Sequence, residues 1–156
     1  YESGAWYTGE WADDEFHGAG KMRYAQGALY DGEWKRGRRD GHGTFRVGRS
    51  GAVFTGEWKD DRMEGRGRMY YASGGRYDGE YVADVREGRG CFRWVDGGAQ
   101  LCVYRSGKPT GDGALWSADR RQAWQLIGGE PHAAISLERA RELAALVGMP
   151  EPSPSS

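Results

Sequence analysis

YTGEW (Tyr7 to Trp11), YDGEW (Tyr30 to Trp34), FTGEW (Phe54 to Trp58) and YDGEY (Tyr77 to Tyr81) are one five-residue word written four times, at a period of 23 or 24 residues. Each copy is followed by six variable residues, a Gly-x-Gly, a short alternating apolar run and a Gly-containing turn. The second halves read GAGKMRY from Gly18, GHGTFRV from Gly41, GRGRMYY from Gly65 and GRGCFRW from Gly88. Repeats of this length are the mark of stacked supersecondary units. Five to seven residues of strict alternation between turn residues read as β-strands. Each repeat therefore predicts one β-hairpin, and successive hairpins predict a single-layer, twisted antiparallel sheet. A one-residue-longer turn after Val47 accounts for the single 24-residue step.

Alternate residues of a strand point to opposite faces. Tyr7, Gly9 and Trp11 should share one face with Gly18, Gly20, Met22 and Tyr24. The expected purpose of the glycines is to leave backbone bare so that a neighbouring ring can lie flat on it. Thr8, Glu10, Lys21 and Arg23, and their counterparts in later repeats, fall on the other face. There the acids of first strands should meet the bases of second strands across the ladder, each exposed pair contributing about 0.2–1 kcal/mol. Nothing else in the repeat region supplies a second layer. The aromatic face is therefore expected to stand uncovered, and large exposed apolar patches mark binding sites.

Composition agrees with this thin architecture. There are 27 Gly in 156 residues, and 13% of the chain is aromatic. Basic and acidic residues number 22 and 23, a net charge of −1, which gives no global pull toward nucleic acid or an anionic membrane. The two cysteines, Cys91 and Cys102, make neither a disulfide scaffold nor a metal site. They could face each other across one hairpin, with a reduced intracellular pair as the default. No stretch reads as a signal peptide or approaches the ~20 apolar residues of a membrane helix, so a soluble, cytoplasmic chain is expected. Tyr1 stands in the slot later held by Tyr24, Val47, Tyr71 and Trp94. The reading therefore expects the chain to begin inside a repeat, as a piece of a longer protein or after loss of upstream residues.

The unit YxGxW…GxGxxxxxxG resembles the MORN repeat (membrane occupation and recognition nexus), over about residues 1–116. The resemblance implies a ribbon of hairpins whose aromatic positions line a groove that holds a peptide or helix of a partner protein. By that resemblance the groove is lined by Tyr7, Trp11, Tyr30, Trp34, Phe54, Trp58, Tyr77 and Tyr81, with Met22, Tyr24, Phe45, Met69, Tyr71, Phe92 and Trp94 from second strands. A fifth unit departs from the pattern, with Gln100 in the first aromatic slot and Cys102 for the Gly. Tyr104 takes the Trp slot, and GDGALW from Gly111 restores the second half.

Residues 117–135 are a transition in which AWQLI from Ala123 is a candidate edge strand. Residues 136–147 read as one short α-helix, with Ser136 as cap and Leu137, Ala140, Leu143, Ala144 and Val147 as an apolar stripe. Gly148 and Pro150 stop it. It should cap the last strand against edge-to-edge association, or lie in the groove, or mediate a homodimer. Residues 148–156 read as a disordered tail.

The Gly-x-Gly pairs lack the Gly-Lys-Ser/Thr of a phosphate loop. Asp13, Asp14, Glu15 and His17 form an acidic cluster between strands without further metal-ligand spacing. No His stands beside a nucleophile in a triad-like arrangement. No enzymatic activity, cofactor or metal is expected. Lys35, Arg36, Arg38 and Arg39 make one basic loop that could contact an anion. The leading expectation is a protein-interaction scaffold, with a cytoskeletal or ciliary assembly as one setting implied by the resemblance. The alternatives are peripheral binding to anionic phospholipid and a targeting or regulatory module of a larger enzyme.

Overall fold

A computed structural model describes residues 4–152. Tyr1, and the part of the expected tail beyond Pro152, lie outside the described residues. Thirteen β-strands and one α-helix form among the described residues, in two compact units, residues 1–72 and 73–156.

The first unit is three antiparallel hairpins side by side: β1 (Trp6–Ala12) with β2 (Glu15–Arg23), β3 (Leu29–Lys35) with β4 (Arg38–Arg46), and β5 (Val53–Lys59) with β6 (Arg62–Tyr70). Neighbouring hairpins pair through β2–β3 and β4–β5. The hairpin turns are two residues long, with both residues at positive φ: Asp13 and Asp14, Arg36 and Gly37, Asp60 and Asp61. That backbone matches the natural twist of a hairpin and favours Asp, Asn and Gly. The acidic cluster at residues 13–15 is therefore a tight turn and the start of a strand.

The register carries a feature that alternation alone does not show. Gly32 faces Gly43, but Trp34 faces Arg39, so residues 40–42 oppose the single residue Glu33. The same bulge recurs between Gly9 and Trp11, Gly56 and Trp58, and, in the second unit, Gly79 and Tyr81. A bulge frees backbone groups from the ladder. The glutamate of each repeat word takes up one of them: Glu10 accepts from the Ala19 amide at 2.8 Å, Glu33 from His42, Glu57 from Arg66 at 2.5 Å and Glu80 from Arg89 at 2.6 Å. These glutamates therefore serve as bulge clasps, which corrects their expected place in an acid–base ladder. Of that ladder, Lys21–Asp31 at 3.1 Å is formed, and Thr44 meets Thr55 at 3.0 Å.

The second unit continues the pattern with β7 (Arg76–Val82), β8 (Val85–Arg93), β9 (Ala99–Arg105), β10 (Lys108–Pro109), β11 (Gly113–Trp116), β12 (Ala123–Ile127) and β13 (Glu130–Ile135). Strand β9 pairs with β8, with the two-residue β10 and with β11. Strand β12 lies between β11 and β13. The transition thus holds a complete hairpin, and β13 lies outside the expected edge strand Ala123–Ile127.

Helix α1 runs Leu137–Val147. The Ser136 hydroxyl accepts from the Arg139 amide, and Gly148 ends the helix in the left-handed conformation. The helix contacts β9, β11 and β12. There Ala140, Leu143 and Ala144 join Cys91, Ala99, Leu101, Ala114, Trp116 and Ala123 in one buried cluster. Leu101 and Ala99 alternate with Gln100 and Cys102, so this is the face opposite the aromatic rings. The helix is therefore a second layer on the back of the sheet in this unit rather than an occupant of the groove, and Ile135 of the outer strand β13 also packs against its cluster. The cysteines are separated by the same alternation. Cys91 faces Leu101 and Cys102 faces Gly90, so they lie on opposite faces as free thiols and cannot form the cross-hairpin disulfide. Beyond the helix, Glu151 pairs with Arg141 at 2.8 Å and Pro152 is buried.

Candidate functional site

The front face is the one that carries the rings. Its central feature, best seen in the second repeat, is that the first-strand rings of the repeats after the first are sealed. A Cβ added to Gly43 would come within 2.2–2.5 Å of the Tyr30 ring and hydroxyl, so the ring lies directly on bare backbone, as alternation predicts. The other glycine of the pair has a different purpose. Gly41 has φ +103, and an added Cβ there would meet the Glu33 carboxylate at 2.4 Å. The expectation that both glycines serve the ring is corrected: one serves the ring and the other the bulge clasp.

Around Tyr30 the packing is edge to face. Trp34 stands at 5.0 Å and 86° on one side, and Trp58 of the following repeat at 5.4 Å and 84° on the other, geometries favoured by the ring quadrupoles. The tryptophans reach back one repeat. Trp34 Nε1 donates to the Gly20 carbonyl at 3.0 Å and Trp58 Nε1 to the Gly43 carbonyl at 3.1 Å. The Tyr30 hydroxyl donates to the Glu33 carbonyl at 3.0 Å. Burial pushes the Tyr30 hydroxyl well above the ordinary tyrosine pKa, against the opposing charge of Arg39.

A fourth side closes the ring. Arg39 lies over Tyr30, Phe45 and Trp58, with its guanidinium carbon 5.8, 5.2 and 4.5 Å from their centroids. In the first repeat Phe16 stacks on Tyr7 at 4.0 Å and 18°. In the fourth Arg86 covers Tyr77 and Tyr104. Each covering residue stands nine positions after the ring it covers, at 16, 39 and 86. Met63 holds the same register position opposite Trp58. This slot lay inside the six variable residues and was missed. Its signal is the constant offset, filled by residues with flat or long side chains (Phe, Arg, Met, Arg).

The consequence corrects the expectation of a bare aromatic face. Tyr30, Trp34, Phe54, Trp58, Tyr77 and Tyr81 are buried, Tyr30 and Tyr77 to 0% exposure. They are the core of a thin sheet. The groove residues that reach solvent are others. Tyr7, Tyr24, Phe45 and Tyr71 are half-buried, and Trp11 and Trp94 are 52% and 40% exposed. In the fifth unit Tyr104 fills the Trp slot, standing edge-on to Tyr77 at 5.1 Å.

The basic loop is similarly reassigned. Arg39 is a ring cover, tied to the next hairpin turn by its Nε and backbone amide on Asp61 Oδ1 and by an Nη on the Asp61 carbonyl. Arg38 faces Asp60 at 3.6 Å. Lys35 and Arg36 remain exposed beside Glu15, Asp40 and Asp60, a surface of mixed charge. The structure does not gather the four cations into an anion site.

A sequence model of the MORN repeat matches residues 7–28, 30–46, 54–76 and 77–99, together more than half of the chain. The chain belongs to the MORN-repeat family. Each match starts on the first aromatic residue of a repeat word, Tyr7, Tyr30, Phe54 or Tyr77, and the last stops before Gln100. The irregular fifth unit, the β12–β13 hairpin and helix α1 thus lie beyond the matched MORN repeats. MORN repeats are in general modules of protein or membrane interaction. No individual curated protein matches the chain.

Proposed function

We propose that this MORN-repeat chain is a non-enzymatic interaction module that holds a segment of a partner protein against its front face. The observation that carries this is the division of labour among the rings. In the first unit Met22, Tyr30, Phe45, Phe54 and Met69 form one cross-strand row. The first-strand members are buried, whereas Met22, Phe45 and Met69 stay half exposed, as do Tyr24 and Tyr71. In the second unit Phe92 is half-buried and Trp94 is exposed. Buried first-strand rings thus alternate along the row with partly exposed aromatic and methionine side chains. Such a surface offers rigid contact area at low entropic cost, and residues of this kind dominate binding hot spots. The docking residues are then the partly exposed ones: Tyr24, Phe45 and Tyr71 in the first unit and, separately, Trp94 in the second. The buried Trp34 and Trp58 support them.

The test is photocrosslinking of the full chain in cells, with benzoylphenylalanine at Tyr24 on the front face or at Thr44 on the back. The proposal expects discrete protein adducts from position 24 and none of the same mass from position 44. Adducts from position 44 alone, or only lipid adducts from both positions, would overturn it.

A further inference from the structure

Among the described residues of the first unit, the front face is hollowed at its turn end. A pocket of about 670 Å³ is lined by Tyr24, Ala28, Phe45 and Val47 together with Arg39, Arg49, Gln26 and Gly48. It is an open hollow rather than an enclosed cavity, with a volume comparable to that of ligand sites. The longer turn after Val47 builds it. That turn closes through the Val47 amide on the Ala52 carbonyl at 2.9 Å and the Gly51 amide on the Val47 carbonyl at 3.1 Å. Gly48 lies hard against the preceding turn, where an added Cβ would meet the Gln26 carbonyl at 2.7 Å. The turn thus brings Val47, Gly48 and Arg49 to the lining of this pocket.

The lining holds two arginines and no acid. Arg39 is answered by Asp61 at 3.2 Å. Arg49 has no ion pair or hydrogen bond among the described residues, so its charge is uncompensated. Tyr24 and Phe45, with centroids 6.1 Å apart, form the apolar wall, and Val47 is 40% exposed. An aromatic wall with one unpaired guanidinium in the same lining is complementary to an apolar side chain with a carboxylate beside it, and arginine binds carboxylates bidentately. A bilayer surface is a poorer fit, because membrane attraction needs several clustered cations, and of the two arginines in this concave lining Arg39 is already paired with Asp61.

We propose that this pocket takes an acidic segment of a partner protein: an aromatic or large aliphatic side chain enters between Tyr24, Phe45 and Val47, and an adjacent Asp or Glu pairs with Arg49. The proposal rests on the docking reading above and assigns the chemistry of its occupant. The test is selection of a random twelve-residue peptide library on the full chain, followed by affinity measurement and ¹⁵N NMR with the enriched peptides. The expected peptides carry Asp or Glu within two residues of an aromatic, Leu or Ile. They should shift the amide signals of Val47, Gly48 and Arg49, and lose at least about tenfold in affinity for Arg49→Glu and for Val47→Asp. Exchanging the peptide's acid for Lys should restore binding to Arg49→Glu. Arg49 lies in an exposed turn, so an unchanged circular dichroism spectrum certifies the fold of that variant. Neutral or basic peptides, or acidic ones indifferent to Arg49→Glu, would overturn the pocket and leave the docking reading standing. Absence of any enriched peptide would count against both. Binding to phosphatidylserine vesicles that is lost in Arg49→Glu, without peptide binding, would replace the protein segment by a lipid headgroup.

Discussion

Gly43→Ala isolates the contact on which the repeat is built. Gly43 is not among the positive-φ glycines, so alanine suits the backbone and the whole penalty is steric. The new methyl would stand 2.2 Å from the Tyr30 hydroxyl and 2.4–2.5 Å from two ring carbons, about 1 Å inside ordinary contact. Relief requires the ring to lift, but it is fully buried between Trp34 and Trp58 and under Arg39. Overpacking of this kind costs about 1–3 kcal/mol. Loss of the hydroxyl's bond to the Glu33 carbonyl adds about 0.5–1.5 kcal/mol. The expected destabilisation is therefore about 2–4 kcal/mol, a large part of the stability of a small domain. Urea unfolding followed by tryptophan fluorescence reads it directly. In a Tyr30→Leu background the ring tip is gone, and the same substitution should cost under about 1 kcal/mol, a coupling that a double-mutant cycle measures. A cost below about 0.5 kcal/mol in the parent chain, or an equal cost in both backgrounds, would refute the reasoning.

Other expectations follow from the same packing. Glu33→Gln keeps an acceptor for the His42 amide and should cost under about 0.5 kcal/mol, whereas Glu33→Ala should cost about 1 kcal/mol in the same urea assay; equal costs would favour an ion-pair role. Arg39→Met should stay within about 1 kcal/mol of the parent, because a long side chain still covers the rings and the exposed pair with Asp61 adds little. Arg39→Ser should cost more and raise acrylamide quenching of Trp58. Burial pushes the Cys91 thiol up to about 11 from its ordinary 9.0, with Arg93 opposing. A raised folded-state pKa means that the stabilisation is complete below about pH 9 and is lost as pH rises through about 11. That loss is about 2–3 kcal/mol. Urea midpoints between pH 8 and 11 should fall less steeply for Cys91→Ala than for the parent, and parallel curves would exclude this thiol as a cause.

The repeat period, the hairpins, the face shared by Tyr30, Gly43 and Phe45 and the terminal helix were all legible, because period-two alternation and turn residues are local signals. Three features were not. The bulge at Glu33 breaks alternation within the second strand, and only the register reveals that Gly41 and Gly43 have different purposes. The covering slot at Phe16, Arg39, Met63 and Arg86 is chemically varied, so composition hides it although its offset is constant. The apolar back face in the second unit rests on Ala99, Leu101, Ala114, Trp116 and Ala123, spread over three short strands whose pairing had to be known before they could be joined. The candidate site suffered most from the second omission. Without the covering residues the first-strand rings looked exposed, and the binding surface was assigned to the sheet's own core.

Hydroxyl-radical footprinting of the full chain, read residue by residue by mass spectrometry, tests this central point most directly. Trp11 and Trp94 should oxidise readily and Tyr24, Phe45 and Tyr71 measurably, while Trp34, Trp58, Tyr30 and Phe54 stay protected until the protein unfolds. Oxidation of Trp34 and Trp58 at the rate of Trp11 in the folded chain would contradict the account and restore an open groove lined by first-strand rings.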